Sequence, residues 1–210
     1  MRTERESAVK RNYQKELEAI LQTLPPESGR KLMLHSCCGP CSSYVLEYLT
    51  QYFDVTLLFY NPNIKPETEY ERRLYWQKKL IREMTFPRSV EIVEYGWQGE
   101  EFDKVAAGME NEPEGGARCL RCFRLRLERT AALAAERGFD WFGTTLTVSP
   151  HKNAEVLNSI GEQLGEKYAV RWLLSDFKKR DGYRRSVQLS EKYGLYRQDY
   201  CGCTPREPVV

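Results

Sequence analysis

Seven cysteines in a chain of 210 residues fall into three groups, with none outside them. Cys37, Cys38 and Cys41 crowd one short stretch, Cys119 and Cys122 form a Cys-x-x-Cys pair, and Cys201 and Cys203 flank a single glycine. Thiols serving as small core residues would be scattered singly, so this grouping points to metal binding or redox chemistry. Four thiolates from the first two groups could hold zinc or an iron–sulfur cluster. Structural zinc usually pairs two Cys-x-x-Cys knuckles, which adjacent Cys37 and Cys38 fit poorly. A cubane carries its irons at separate corners and tolerates such neighbours, so the spacing favours iron–sulfur. A disulfide between Cys201 and Cys203 would close a strained, easily reduced ring, which suits a redox relay. Ligands for a second metal, or two idle thiols, are the alternatives there.

Cys119 and Cys122 are three apart on a predicted helix and should emerge one turn apart on one face. That face is expected to differ from the apolar one through Leu120 and Phe123. Arg118, Arg121, Arg124 and Arg126 are expected to surround the pair and lower its thiol pKa values. His35 and His151 are the only histidines. Each follows a predicted strand, so one of them is a candidate catalytic or ligand residue against the commoner structural role. Asp176, also at a strand end, could orient a hydroxyl, ligate a metal or donate a proton. Lys178 and the basic residues around it could meet phosphates, with Tyr183 available to stack on a base; the alternative is a solvated charged loop.

The elements that must position these groups alternate. The apolar run Leu32 to Leu34 reads as a strand that enters the first cysteine loop, and a helix follows at once, with Ser42 or Ser43 as its cap. Further strands are expected at 55–60, 89–95, 141–148 and 170–174. Helices are expected at 66–84, 100–107, 118–137, 153–168 and 183–193, with an acidic, glycine-rich loop at 110–116. Such alternation implies an α/β, Rossmann-like, mainly parallel sheet with helices on both faces. An amphipathic helix over 6–24 precedes it, so residues 1–29 are expected to form an N-terminal helical extension and 30–210 a single catalytic domain carrying the metal site. The net charge of +2 exerts no global pull on nucleic acid, so RNA contacts must be local. No apolar run approaches a membrane span, and the charged N-terminus lacks a signal-peptide core; a cytoplasmic protein without membrane partners is expected.

Taken together, these motifs resemble the epoxyqueuosine reductase family of the QueH type. The resemblance is carried by the first cysteine loop, Phe59-Tyr60-Asn61-Pro62-Asn63-Ile64 with Glu69-Tyr70 and Arg72-Arg73, and the Cys119–Cys122 helix. It continues through Thr144-Thr145-Leu146 with Ser149-Pro150-His151-Lys152-Asn153, Ser175-Asp176-Phe177-Lys178 with Gly182-Tyr183, and Tyr196-Arg197-Gln198-Asp199-Tyr200-Cys201-Gly202-Cys203. It implies a fold related to the adenine-nucleotide α-hydrolases and reductive removal of the epoxide oxygen of epoxyqueuosine at the wobble position of tRNAs with GUN anticodons. That step yields queuosine and completes its synthesis, with electrons from an unidentified donor.

The resemblance further implies a [4Fe-4S] cofactor, on this chain held by Cys37, Cys38, Cys119 and Cys122. Cys41 is a substitute ligand or binds an adjacent iron, so a second mononuclear iron is a further option. Cys201 and Cys203 would act as a redox pair, and Asp176, His35 or His151 would supply a proton. Tyr60, Asn61, Arg72, Lys152, Lys178 and Tyr183 are the candidate substrate contacts. The Ser-Gly-Gly-x-Asp-Ser loop with which many α-hydrolase relatives hold ATP is absent, and Cys37 to Ser43 stands in its place, so no ATP requirement is expected. Two rivals from other classes are a cysteine-dependent tRNA sulfur-transfer enzyme and a zinc-stabilised, non-catalytic RNA-binding module.

Overall fold

The computed structural model describes residues 11–25 and 29–203. Five parallel strands, β1 (Lys31–His35), β2 (Asp54–Phe59), β3 (Val90–Glu94), β4 (Trp141–Thr144) and β5 (Arg171–Trp172), form one sheet in the order β3-β2-β1-β4-β5. The strands buried on both sides are short apolar runs, as a parallel sheet requires. Along β1, Leu32 and Leu34 face one core while Met33 faces the other.

On the first face, α2 (Gly39–Leu49), α3 (Glu67–Glu83) and α7 (Gly182–Lys192) pack together, joined by α1 (Tyr13–Gln22) through Leu17 and Leu21. Ion pairs Arg11–Glu162 (2.8 Å) and Arg180–Glu18 (3.0 Å) also tie α1 down. On the second face lie α4 (Gly99–Ala106), α5 (Ala117–Glu136) and α6 (Ala154–Tyr168). The expected mainly parallel α/β sheet with helices on both faces is therefore present. The first residues of the predicted 6–24 helix, to residue 10, lie outside the described residues.

Two local expectations fail for identifiable reasons. Ser42 and Ser43 do not cap α2, whose N-cap is Cys38. Pro40 suits the first turn of a helix, so α2 starts earlier, and both serine hydroxyls bond back to carbonyls inside it. Thr145–Val148 is a short 3-10 helix rather than the end of β4. The Thr144 hydroxyl accepts from the Leu146 amide (3.1 Å), a local bond that outbids the sheet despite the β-branched sequence.

The order of the strands decides where a ligand can sit. The chain leaves β1 toward β2 on one side and β4 on the other, so the crevice beyond the carboxyl ends of β1 and β4 is the topological switch point. His35 and Thr144 are register partners at those two ends. The first cysteine loop follows β1, and the loop holding His151 follows β4.

The neighbouring loop after β5 is held by close packing. Trp172 donates to Asn158 Oδ1 (2.9 Å), and Asn158 Nδ2 donates to the Ser175 carbonyl (2.9 Å). A methyl group at Gly161 would overlap the Trp172 indole. Gly161→Ala is expected to cost about 2 kcal/mol by overpacking, read from urea unfolding of the metal-free chain. Unchanged stability would show that Trp172 repacks freely.

Candidate metal centre

The cysteine loop after β1 is pinned from three sides. The Ser36 and Ser42 hydroxyls lie 2.5 Å apart, and both approach Gln77 Oε1 on α3, at 2.7 and 2.8 Å. Asn61 Nδ2 donates to the Ser36 carbonyl (2.8 Å). At Gly39 an added Cβ would stand 3.0 Å from the Trp76 carbonyl oxygen, so α2 begins in close contact with α3. Held this way, the sulfurs of Cys37, Cys38 and Cys41 all lie within 4.8 Å of one another. The neighbouring S–H groups of Cys37 and Cys41 hold the Cys38 thiol well below its usual range, while Cys37 and Cys41 are pushed up in return.

Cys119 and Cys122 do share a face of α5, but it is the buried one. Both are 5 % exposed, Cys119 clustering with Phe123 and Leu127 and Cys122 with Phe102 and Ala106, whereas Leu120 is 42 % exposed. The arginine setting also needs correcting. Arg118 and Arg121 donate to the carbonyls of Glu110 and Val105, and Arg124 donates to Gln163. Of the four only Arg126 is buried, although Arg118 also lines the smaller cavity beside Cys119. Burial therefore dominates at Cys122 and pushes its thiol up to about 11.

The C-terminal segment reaches the same place. Arg73 of α3 is ion-paired with Glu69 (2.6 Å) and donates to the carbonyls of Cys201 (3.0 Å) and Tyr200 (3.5 Å). The Lys65 amide donates to the Gly202 carbonyl (2.8 Å). Gly202 has φ +97°, open to glycine and strained for other residues, and its α-carbon faces the Arg73 guanidinium. This clamp sets Cys201 3.6 Å from Lys152 Nζ, which also pairs with Glu114 (2.8 Å).

A cavity of about 400 Å³ opens above the switch point. Cys37, Cys38, Cys41 and Cys201 line it, with Arg73, Arg126 and Lys152 as its inner cations and His151, Tyr183 and Arg197 on its wall. A smaller cavity of about 130 Å³ adjoins it, lined by Cys119 and Cys203. Asp199, Tyr200, Cys201 and Glu114 border both.

The other residues expected at the site stand elsewhere. His35 is fully buried, bonded through Nδ1 to Thr144 Oγ1 (3.0 Å), and desolvation with Arg126 nearby lowers its pKa to about 3. It is therefore neutral and does not line the cavity. Asp176 and Lys178 pair with each other. Tyr60 bonds Glu101, Asn61 serves the cysteine loop, and Arg72 stacks 3.8 Å over Tyr196. None of these five lines the cavity either. Of the candidate substrate contacts, Lys152 and Tyr183 are brought to it, and so is His151.

Sequence reasoning missed Arg73 and Glu114 as site residues, and Arg126 as anything more than one arginine of four. The Glu69–Arg73 spacing of four looks like an ordinary surface helix pair and gave no warning of its burial.

Comparison with known proteins bears directly on this arrangement. Residues 32–206 match the family model described as Epoxyqueuosine reductase QueH. The chain belongs to this family. The protein of Streptococcus pyogenes serotype M1 named Epoxyqueuosine reductase QueH is 44 % identical over 195 residues, covering 91 % of this chain and 76 % of that protein. The QueH protein of Staphylococcus epidermidis is 44 % identical over 197 residues (91 % and 83 %), and that of Thermotoga maritima 39 % over 178 residues (82 % and 88 %). The match to the QueH model spans all three cysteine groups.

Within this site the acidity of Cys201 is testable. The hydrogen bond from Cys203 stabilises its thiolate, with Lys152 and Arg126 adding to the effect, and its pKa falls to about 5. That lies below the unfolded thiol value of about 8.5, so the thiolate's stabilising contribution exists above that value and disappears as pH falls through 5. In the reduced, metal-free chain, alkylation of Cys201 should stay nearly level from about pH 8 to about pH 6. It should drop only near pH 5, and Lys152→Met should move that drop upward. Peptide mass spectrometry reads the labelling; an ordinary midpoint above pH 8 would refute the assignment.

Proposed function

We propose that this chain is an epoxyqueuosine reductase acting on tRNA, an oxidoreductase that removes the epoxide oxygen of epoxyqueuosine at the wobble position and leaves queuosine. The observation that carries the reading is the convergence of three cysteine groups, from three distant segments, on adjoining cavities at the switch point. Membership of the QueH family supports it.

Opening an epoxide to an alkene with loss of water consumes two electrons and two protons. With Cys201 ionised, oxidation of the Cys201–Cys203 pair to a disulfide releases two electrons and one proton, so a second proton from the cavity wall completes the reaction and an external donor must then reduce the disulfide. Lys152 keeps Cys201 ionised, and His151 on the same wall is a source of that second proton for the leaving oxygen. His35 and Asp176 are less suited, since neither lines the cavity. Tyr183, 40 % exposed, offers a ring for a base, and Arg197 beside it offers a charge for a phosphate.

The donor set fits an iron–sulfur group, because three sulfurs already cluster and a buried guanidinium beside them has an unsatisfied Nη2. Cys37, Cys38, Cys119 and Cys122 would hold a [4Fe-4S] cluster, and Cys41 is placed to ligate a second iron or exchange with a neighbour. Bound there, such a group supplies electrons singly and Lewis acidity at an iron with an open position.

The test is anaerobic reconstitution followed by incubation with tRNA bearing epoxyqueuosine and a chemical reductant, without ATP. About four irons and four sulfides per chain, with conversion to queuosine, are expected. A colourless zinc protein that converts nothing would refute the reading, and a strict ATP requirement would point to sulfur-transfer-type chemistry instead.

A further inference from the structure

Among the described residues two arginines are almost fully buried, and they are provided for differently. Arg73, 2 % exposed, has Glu69 as a counter-ion. Arg126, also 2 % exposed, donates from Nε to the Cys122 carbonyl (3.3 Å), its Nη2 has no hydrogen-bond partner, and among the described residues no carboxylate pairs with it. A guanidinium cannot shed its proton, so burial without a counter-ion leaves a full charge that the surroundings must balance. Its Nε bond fixes it to the backbone of Cys122, and it shares the lining of the large cavity with Cys37, Cys38, Cys41 and Cys201, so all three cysteine groups meet around it. The other inner cations, Lys152 and Arg73, each have a glutamate. Of these inner cations Arg126 is therefore the one without a carboxylate, and it sits at the junction of the three groups.

We propose that Arg126 is the fixed counter-charge of an anionic iron–sulfur group held by these cysteines, and that it makes that group easier to reduce. The inference rests on the cluster reading above. Each electron accepted by such a group adds one negative charge, and a buried cation that cannot move or deprotonate favours the more negative state. The same attraction resists loss of the group. Arg126 is thus a positioning and tuning residue, since no reacting atom need touch it.

The experiment compares the wild type, Arg126→Gln and Arg126→Lys as full chains reconstituted without oxygen. Iron, sulfide and the midpoint potential are measured in the absence of tRNA. In the glutamine chain the ratio of reduced to oxidised group at a fixed potential should fall at least tenfold, about 59 mV for one electron. The lysine chain should keep most of the wild-type ratio. A glutamine chain with wild-type iron and an unshifted potential overturns the inference. So does a shift seen only when tRNA is present, which would assign Arg126 to the substrate. Should the glutamine chain fail to hold iron, the lysine chain decides. Iron and potential near the wild type support a role for charge, and a lysine chain as empty as the glutamine chain overturns it. A wild type without iron or sulfide would remove the cluster reading itself, a result distinct from an unshifted variant.

Discussion

Cys122→Ala is expected to remove colour, iron and turnover together, with reduction of epoxyqueuosine falling by at least about a thousandfold. The sulfur of Cys122 sits on the buried face of α5, 5 % exposed, beside Arg126 and in the same core as Cys203. Burial holds its thiol protonated when nothing is bound, and a metal would displace that proton. Truncating a side chain this small leaves a small cavity, so the metal-free variant should unfold within about 1 kcal/mol of the wild type. This separates a lost ligand from a lost fold. Leu120→Ser, on the exposed face two residues away, should change none of these quantities. Iron and sulfide assays with nucleoside analysis of the tRNA read the result. A Cys122→Ala protein with a full complement of iron and normal turnover would refute its role as a ligand.

The second large effect is expected away from any ligand. In Gly202→Ala, kcat should fall about a hundredfold while iron content and the KM for tRNA stay near the wild type. The new methyl meets two obstacles at once. The backbone at φ +97° strains any residue with a Cβ, and that Cβ would lie 3.1 to 3.3 Å from the Arg73 guanidinium. Arg73 cannot retreat, being fixed to Glu69 and to the Cys201 carbonyl. The segment must shift instead, which carries Cys201 away from Lys152 and uncouples the dithiol from the cavity. Wild-type kcat in this variant would mean that the clamp does not set the position of Cys201.

How far these arrangements could be read in the sequence depended on the kind of signal. The strands around the switch point were legible because β1, β2 and β4 are short apolar runs in a sheet covered on both sides, and each is followed by a recognisable helix. The cysteine groups were legible because spacing alone marks them. Orientation was not. Counting cysteine as polar put Leu120 on the apolar face of α5, whereas the helix buries its sulfurs and exposes that leucine. The strand-end residues Asp176 and His35 looked available for chemistry, but pairing with Lys178 and complete burial remove them from the cavity. Arg73 and Arg126 were hidden among many arginines. What distinguishes them is a tertiary fact, the C-terminal segment lying over one and the absence of a carboxylate beside the other.

The residues that border both cavities bear on the order of events in a catalytic cycle. Asp199 to Cys201 form a partition, with Cys201 reaching both chambers and Cys203 only the small one. A dithiol set across a wall can take reducing equivalents in on one side and spend them on the other. The donor would then not have to vacate the chamber that holds the nucleoside. Excess donor should accordingly not inhibit competitively against tRNA in initial-rate measurements, and such competition would show that the two reactants take turns at one door.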